Sequence, residues 1–112
     1  TRTVWWRLLS NRIPTRSLLH QHVPSVFSSP TCQICSSVSE DLQHFFVFCP
    51  PKQRVWKIVL ERCESDWAID EISTFICHLR LPQRQLHKPV PILNICITIY
   101  TIWRQHWRFT YD

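Results

Sequence analysis

The 112 residues of the chain are enough for one domain with a modest hydrophobic core and leave little room for a second independent domain. Glycine is absent and proline occurs 8 times. This favours a mainly α fold of short helices over a hairpin-rich sheet, because primed hairpin turns depend on glycine. The net charge is +5, and the longest apolar run, residues 92–103, is broken by polar side chains and too short to span a bilayer, so no membrane segment is expected.

Two short helices are predicted before residue 25. Apolar side chains recur at helical spacing over residues 4–9, and the pattern ends before Pro14, because the residue preceding a proline avoids the α region. Thr15 is a suitable N-cap for the second helix, in which Leu18 and Leu19 are expected to face the core.

Three more helices are predicted before residue 80. Ser39, followed by two acidic residues, predicts the start of a helix that runs through His44. Pro51 is suited to the first turn of the next helix, and Ser65 or Asp66 can cap the one after it. The apolar positions of these last two helices are Val55, Trp56, Val59, Leu60 and Cys63, and then Ile69, Ile72, Ile76 and Leu79.

The segment after the connection at residues 82–91 carries two competing patterns. Ile95, Ile97 and Ile99 alternate as they would in a strand. The polar residues of the same segment fall on one continuous helical face, which favours a C-terminal helix. These polar residues are Asn94, Thr98, Thr101, Gln105 and Arg108.

Cysteine and histidine occur at metal-ligand spacing in the middle of the chain. The pattern Cys32-x2-Cys35-x8-His44-x4-Cys49 offers four donors, the number that a tetrahedral structural zinc site needs, with no position left for a catalytic water. On a continuous helix, His44 and Cys49 would lie about 140° apart and could not share an ion. Because Pro50 keeps Cys49 out of the α region, we expect the helix to end between these two ligands.

Two alternatives to this ligand set are open. The four residues could be buried core side chains of a protein in a reducing compartment. Cys63 or His22 could replace the fourth ligand, although Cys63 also fits the apolar stripe of its helix. No signal peptide is visible, which favours a reducing compartment over disulfides, and Cys63, Cys77 and Cys96 are interpreted as core thiols.

Basic residues are concentrated in the two terminal parts of the chain. Residues 1–31 and 72–111 contain no acid, whereas acids gather between residues 61 and 71. Ten of the 13 basic residues are arginine, the side chain whose planar fork pairs best with phosphate. The alternative interpretation is a solvated surface that keeps the protein soluble.

Four segments form a specific set of motifs: VWWRLLSNRIPTRSLL at residues 4–19, CQIC at 32–35, EDLQHFFVFC at 40–49 and VW at 55–56. This set resembles the zinc-binding domain found C-terminal to the reverse transcriptases of non-LTR retrotransposons. The sequence IWRQHWR at residues 102–108 is similar to the Trp- and Arg-bearing helix that often follows. The resemblance implies zinc ligands at Cys32, Cys35, His44 and Cys49. It differs from the retroviral nucleocapsid knuckle, in which the interval between the second cysteine and the histidine is shorter and contains glycine.

These patterns together predict a small, mainly α domain with one structural CCHC zinc site. Residues 1–80 are expected to form the zinc-binding domain, with the zinc core at residues 32–49. Residues 81–112 are expected to form a connecting loop and a C-terminal helix that packs on the same domain. Because the chain has no methionine, it is expected to be a segment of a longer polypeptide.

The expected function is a nucleic-acid-associated module of a retrotransposon-type reverse transcriptase. Arg12, Arg16, Arg104 and Arg108 are predicted to contact the phosphates of template RNA or target DNA. The alternative is a structural module that packs on the reverse transcriptase domain of the same polypeptide without touching nucleic acid. No enzyme is expected, because the chain has no Tyr-x-Asp-Asp and no carboxylate cluster able to hold two Mg²⁺ ions. An intracellular location, in the nucleus or in a cytoplasmic ribonucleoprotein, is expected.

Overall fold

The computed structural model describes residues 6–8, 13–89 and 91–111, and its regular elements are helical. Within these residues the only strand-like pairing is an isolated antiparallel bridge between Thr31 and Ser39. The mainly α prediction is therefore confirmed. The elements are α1 (Arg16–His22), a π-helical segment (His44–Phe48), α2 (Pro50–Arg62), α3 (Ile69–His78) and α4 (Ile92–Tyr111). Residues 6–8 are also helical, and the rest of the first predicted helix lies outside the described residues.

The π-helical segment lies at the centre of the hydrophobic core. Its residues Phe45, Phe46 and Val47 are completely buried, and α2, α3 and α4 all pack against it. The indole N–H of Trp56 donates to the carbonyl of Phe46 at 2.6 Å, so α2 is joined to this segment by a buried hydrogen bond as well as by apolar contact. The helices contribute Trp56 and Leu60 from α2, Ile72 and Ile76 from α3, and Ile95, Ile99 and Ile102 from α4.

Two predicted helix caps are wrong and one is confirmed. Thr15 caps α1 as expected, because its hydroxyl accepts the N–H of Leu18 at 3.2 Å. The predicted cap Ser39 is replaced by Asp41, whose carboxylate accepts the N–H of His44 at 2.8 Å. The helix predicted to be capped by Ser65 or Asp66 begins later, at Ile69.

The start of α3 shows why that cap was missed. The N–H of Ala68 donates to the Glu71 side chain at 2.8 Å, so an acid inside the first turn takes the place of a capping residue before it. The helix ends at His78, and the next residue, Leu79, adopts a left-handed conformation (φ 53°) and is exposed rather than part of the core.

Burial along α1 and α4 also differs from the expected pattern. Leu18 and Leu19 are only half-buried, and α1 has no fully buried residue. The helical assignment of α4 is confirmed, but Thr98 is buried while the other polar positions of its face are exposed. The Thr98 hydroxyl donates to the carbonyl of Asn94 at 2.6 Å, which satisfies it within the helix and allows burial.

The connection between α3 and α4 is attached to the loop that follows α2. The guanidinium of Arg84 makes a two-pronged contact with Glu71, at 2.8 and 3.0 Å, and also contacts the carbonyl of Asp66. The carboxylate of Asp66 accepts the N–H of His87 at 2.7 Å, which lowers the pKa of that carboxyl. In the described part of the chain, no helix is both long and apolar enough to cross a bilayer.

Candidate metal centre

Cys32 and Cys35 lie on a tight turn held by backbone hydrogen bonds. The N–H of Cys32 donates to the carbonyl of Val38, and the N–H of Ser36 donates to the carbonyl of Cys32, both at 2.9 Å. Ser36 has φ 57°, in the left-handed region that non-glycine residues seldom adopt. The N–H of Ile34 points at the sulfur of Cys32 at 3.4 Å, so the turn supplies a donor to a thiolate.

His44 and Cys49 come together through a helical turn whose type the sequence did not predict. The helix ends at Phe48, between the two ligands, as expected from Pro50. Its last turn is a π-helical segment, and the N–H of Cys49 donates to the carbonyl of His44 at 3.2 Å. Because an i→i+5 hydrogen bond closes one wide turn, it brings Cys49 back to the side of the helix that carries His44. In an α-helix the two residues would lie about 140° apart. Cys49 itself is extended (φ −61°, ψ 130°), as Pro50 requires.

The four predicted ligands converge on one point. Their donor atoms all lie within 4.8 Å of one another. The sulfurs of Cys32 and Cys49 are 3.9 Å apart, and the sulfur of Cys35 is 3.3 Å from Nε2 of His44. Zn–S bonds of about 2.3 Å and Zn–N bonds of about 2.0 Å give tetrahedron edges of about 3.8 and 3.6 Å. The sulfur–sulfur distance of 3.9 Å and the sulfur–nitrogen distance of 3.3 Å are close to those edges. A sulfur–sulfur distance of 3.9 Å is also far too long for a disulfide.

The other residues considered as ligands lie elsewhere. His22 is exposed at the end of α1, and Cys63 is half-buried at the end of α2. Neither belongs to the group of converging donors found among the described residues. Cys77 and Cys96 are half-buried rather than fully within the core.

Burial and hydrogen bonding act in opposite directions on the three thiols. Burial raises the pKa of Cys49 to about 12 and also raises the pKa of Cys32. Hydrogen bonding from Ser37 lowers the pKa of Cys35 to about 6. A divalent cation would displace the protons that burial favours, so metal binding at this site is coupled to proton release.

The donor set fits a structural zinc and offers no chemistry beyond binding. Three sulfurs and one imidazole fill a tetrahedral shell, so no open position remains for water or substrate. The sequence family described as zinc-binding in reverse transcriptase matches residues 1–56. The chain belongs to this family. Membership in the reverse transcriptase zinc-binding family and the converging ligands together support one structural zinc. Searches of curated proteins and of solved structures gave no significant match.

The predicted phosphate-binding arginines have different surroundings. Arg12 lies outside the described residues. Arg16 is half-buried, with its guanidinium 5.0 Å from the ring centroid of Phe27. Arg104 and Arg108 are exposed on α4. Arg7, which was not singled out from the sequence, lies with its guanidinium 5.9 Å from the ring centroid of Trp103.

Trp6 and Trp107, two tryptophans that could stack on unpaired bases, differ in exposure. Trp6 is 58% exposed, whereas Trp107 is half-buried and packs within 5.9 Å of Phe45, ring centre to ring centre. Trp107 is therefore in part a core residue, as tryptophan usually is in a small domain.

Sequence reasoning missed three buried ionisable residues beside the metal centre: Glu40, Lys52 and His106. A signal for two of them was present. Lys52 lies four residues before Trp56 on the buried stripe of α2, and His106 lies four residues after Ile102 on the buried stripe of α4. Extending the helical period through polar positions would have placed both inside.

Proposed function

We propose that the domain binds the phosphate backbone of RNA or DNA within a reverse transcriptase polypeptide. The observation that carries this proposal is a group of four arginines that we call the basic end, defined as Arg7, Arg16, Arg104 and Arg108. Arginines from three separate segments of the chain lie there, and no ion pair involving them occurs among the described residues. Guanidinium groups free of acidic partners are available to phosphate.

Several contacts connect the segments of the chain that carry the basic end. The N–H of Arg16 donates to the Glu40 carboxylate at 2.9 Å, and the other oxygen of that carboxylate is 3.9 Å from His106 on α4. Arg104 and Arg108 lie two residues before and after the buried His106, so they project from the opposite, exposed face of α4. Arg7 approaches α4 through Trp103. These contacts bring α1, α4 and residues 6–8 to one region of the molecule.

Three of the five acidic residues in the middle of the chain lie close to other cations. Arg84 contacts Glu71 and Asp66, and Lys88 is 3.9 Å from Glu64. These contacts partly neutralise the part of the protein that joins α2, α3 and α4. These acids therefore do not offset the positive charge of the basic end, which increases the local concentration of polyanions.

Contacts of this kind are expected to be weak in base specificity. Arginine bound to phosphate fixes position but carries no information about sequence. The zinc site supplies the rigid support, and the closed ligand set is consistent with an accessory role beside the polymerase rather than with catalysis. We also propose that the domain acts inside the cell, in the nucleus or in a cytoplasmic ribonucleoprotein, where reducing conditions keep the thiols available to zinc.

The experiment is a salt titration of binding to single-stranded RNA, single-stranded DNA and duplex DNA. Arg104→Gln and Arg108→Gln should each lower the slope of log K against log salt by up to about one unit, because each removes one phosphate contact. Arg62→Gln is the matched control, because Arg62 is an exposed arginine at the C-terminal end of α2 and does not belong to the basic end. Equal effects of all three substitutions, or no binding at low salt, would contradict the proposal.

A second function is favoured by one observation. Leu93 and Ile97 are 72% and 54% exposed on α4, and residues 89–103 carry no charged side chain. An uncharged apolar surface suits contact with another protein, here the reverse transcriptase domain of the same polypeptide. Leu93→Ser with Ile97→Ser should weaken that contact and leave binding to nucleic acid unchanged, which separates the two functions.

A further inference from the structure

Glu40, Lys52 and His106 meet in the interior of the protein although they come from three different elements. Their exposed fractions are 1%, 7% and 4%. The ammonium of Lys52 donates to Nδ1 of His106 at 2.8 Å and to the carbonyl of Phe45 at 2.7 Å. Nε2 of His106 faces the Glu40 carboxylate at 3.9 Å. The three side chains thus form a line of ammonium, imidazole and carboxylate.

The direction of the first hydrogen bond determines the state of the imidazole. An ammonium group has only donors, so Nδ1 of His106 accepts from protonated Lys52 and the ring proton then lies on Nε2. Nε2 lies 3.9 Å from a Glu40 carboxylate oxygen, within range of electrostatic attraction but beyond hydrogen-bond distance. Burial, together with the charges of Lys52 and Arg16, lowers the pKa of His106 to about 3, which agrees with a neutral ring between two opposite charges.

Glu40 extends the line to α1. Its Oε1 accepts the N–H of Arg16 at 2.9 Å, and its backbone carbonyl accepts the N–H of Ser17 at 3.1 Å. Its own N–H donates to the carbonyl of Pro30 at 2.8 Å, beside the turn that carries Cys32. One residue therefore contacts the start of α1, the cysteine turn and, through its side chain, α4.

We propose that Glu40, Lys52 and His106 are positioning residues for the basic end. Their contacts hold α1 and α4 in one orientation on the zinc-bearing segment, so that Arg16, Arg104 and Arg108 act on the same polyanion. The link to polyanions rests on the proposed function, whereas the positioning of the two helices does not. His106 lies 50 residues beyond the matched family segment, residues 1–56, so the positioning network needs the C-terminal helix.

The chemistry of the three residues argues against simple core filling. A lysine and a glutamate are almost never fully buried without a partner, and an apolar side chain would fill the same volume without the cost of desolvating a charge. Directional contacts specify one orientation of α4, whereas apolar contacts alone tolerate rotation and sliding of a helix. The ring of His106 also packs 4.1 Å from that of Phe45, centre to centre, which fixes its plane.

The experiment uses the full zinc-bound chain and three variants. His106→Phe keeps a ring against Phe45 but removes both nitrogens, and Lys52→Met removes the ammonium but keeps an unbranched side chain. Ile99→Val is the matched control, because it removes one buried methyl group from α4 without touching the network. Long-range ¹H–¹⁵N NMR gives the tautomer of His106, and amide hydrogen exchange reports on the start of α1.

The expected wild-type result is a neutral His106 with its proton on Nε2. Both network variants should retain zinc, while the amide of Arg16 exchanges about tenfold faster because the Glu40 carboxylate that accepts its N–H is no longer fixed. The amide of Ser17 should follow, because its acceptor is the backbone carbonyl of the same residue. Ile99→Val should leave those two amides no faster than the rest of α1. A proton on Nδ1, loss of zinc in both network variants, or unchanged exchange at Arg16 and Ser17 would each overturn the proposal.

Binding to single-stranded RNA and duplex DNA by the same variants tests the link to function. Affinity should fall about tenfold in His106→Phe and Lys52→Met, similar to the loss of one charged hydrogen bond, and stay unchanged in Ile99→Val. Unchanged affinity in variants with faster exchange at Arg16 would overturn the positioning role. A wild-type protein that binds no nucleic acid would contradict the proposed function, while the NMR measurements would still decide whether the network orients the helices.

Discussion

Glu40, Lys52 and His106 show how the interior of this domain treats charge at the scale of single residues. Lysine burial lowers the pKa of Lys52, and the nearby Glu40 charge acts in the opposite direction. The imidazole between them stays neutral, so one positive and one negative charge are separated by a polar ring. Such an arrangement costs less than an unpaired buried charge, because each charged group retains a hydrogen-bond partner or an opposite charge.

The neutral state of His106 predicts a loss of stability in mild acid. The folded pKa is about 3, below the ordinary value near 6.5 of the unfolded chain, so the unfolded state binds a proton that the folded state excludes. The free energy of unfolding is therefore highest above pH 6.5 and falls as the pH drops from there toward 3. Between pH 7 and pH 5 the loss should be at most about 2 kcal/mol.

The measurement is denaturant unfolding of the zinc-saturated protein at pH 7 and pH 5. His106→Asn is the comparison, because its amide oxygen can accept from Lys52 but does not titrate. The groups that face His106 are Glu40, Lys52 and Arg16, and they are present in both proteins. A wild-type loss of stability no larger than that of His106→Asn would show that the ring is not held neutral.

At the scale of elements, local sequence signals identified helices better than their ends. The N-cap Thr15 and the start of α2 followed from residue types that act within one turn. Ser39 was preferred to Asp41 because both are capping residues, and only the tertiary position of Glu40 decides between them. The side chain of Glu40 lies in the core. With Glu40 held there, Asp41 is the residue whose carboxylate reaches the N–H of His44.

Asp41 therefore contributes to the π-helical segment that presents His44. Asp41→Ala should reduce the free energy of unfolding by about 1 kcal/mol, the usual cost of losing a capping side chain. Ser39→Ala is the matched control and should have little effect, because Ser39 is exposed and its bridge to Thr31 uses the backbone. Chemical denaturation of both zinc-bound variants gives the two values, and an equal loss for the two would indicate that Ser39 is the cap.

The same comparison shows how far the metal site could be predicted from the sequence. The four ligands followed from their types and spacing, and the structure brings them together. The π-helical turn between His44 and Cys49 could not be predicted, because α- and π-helical turns have no distinct residue pattern and Pro50 is compatible with both. The network of Lys52 with His106 joins residues 54 positions apart, and helical periodicity alone does not say which helices face each other.

For the molecule as a whole, the metal centre and the hydrophobic core are one structure. Phe45, Phe46 and Val47 form the middle of the core, and they lie between the ligands His44 and Cys49 in the chain. The helices that pack around them therefore depend on the conformation that the ligands impose. A domain of 112 residues has a small net stability, of the order of 5–15 kcal/mol, which is comparable with the binding free energy of a structural zinc.

Removal of zinc is therefore expected to unfold the domain rather than loosen one loop. One equivalent of zinc should be present per chain, and a chelator should abolish most of the helical circular dichroism, because structural zinc contributes about 10 kcal/mol or more. Cys49→Ser should behave like the chelated protein. Cys63→Ala, at a half-buried thiol outside the ligand group, should keep zinc and lose only about 1–2 kcal/mol of packing. A metal-free protein with unchanged helicity and melting temperature would show that the core forms without the ion.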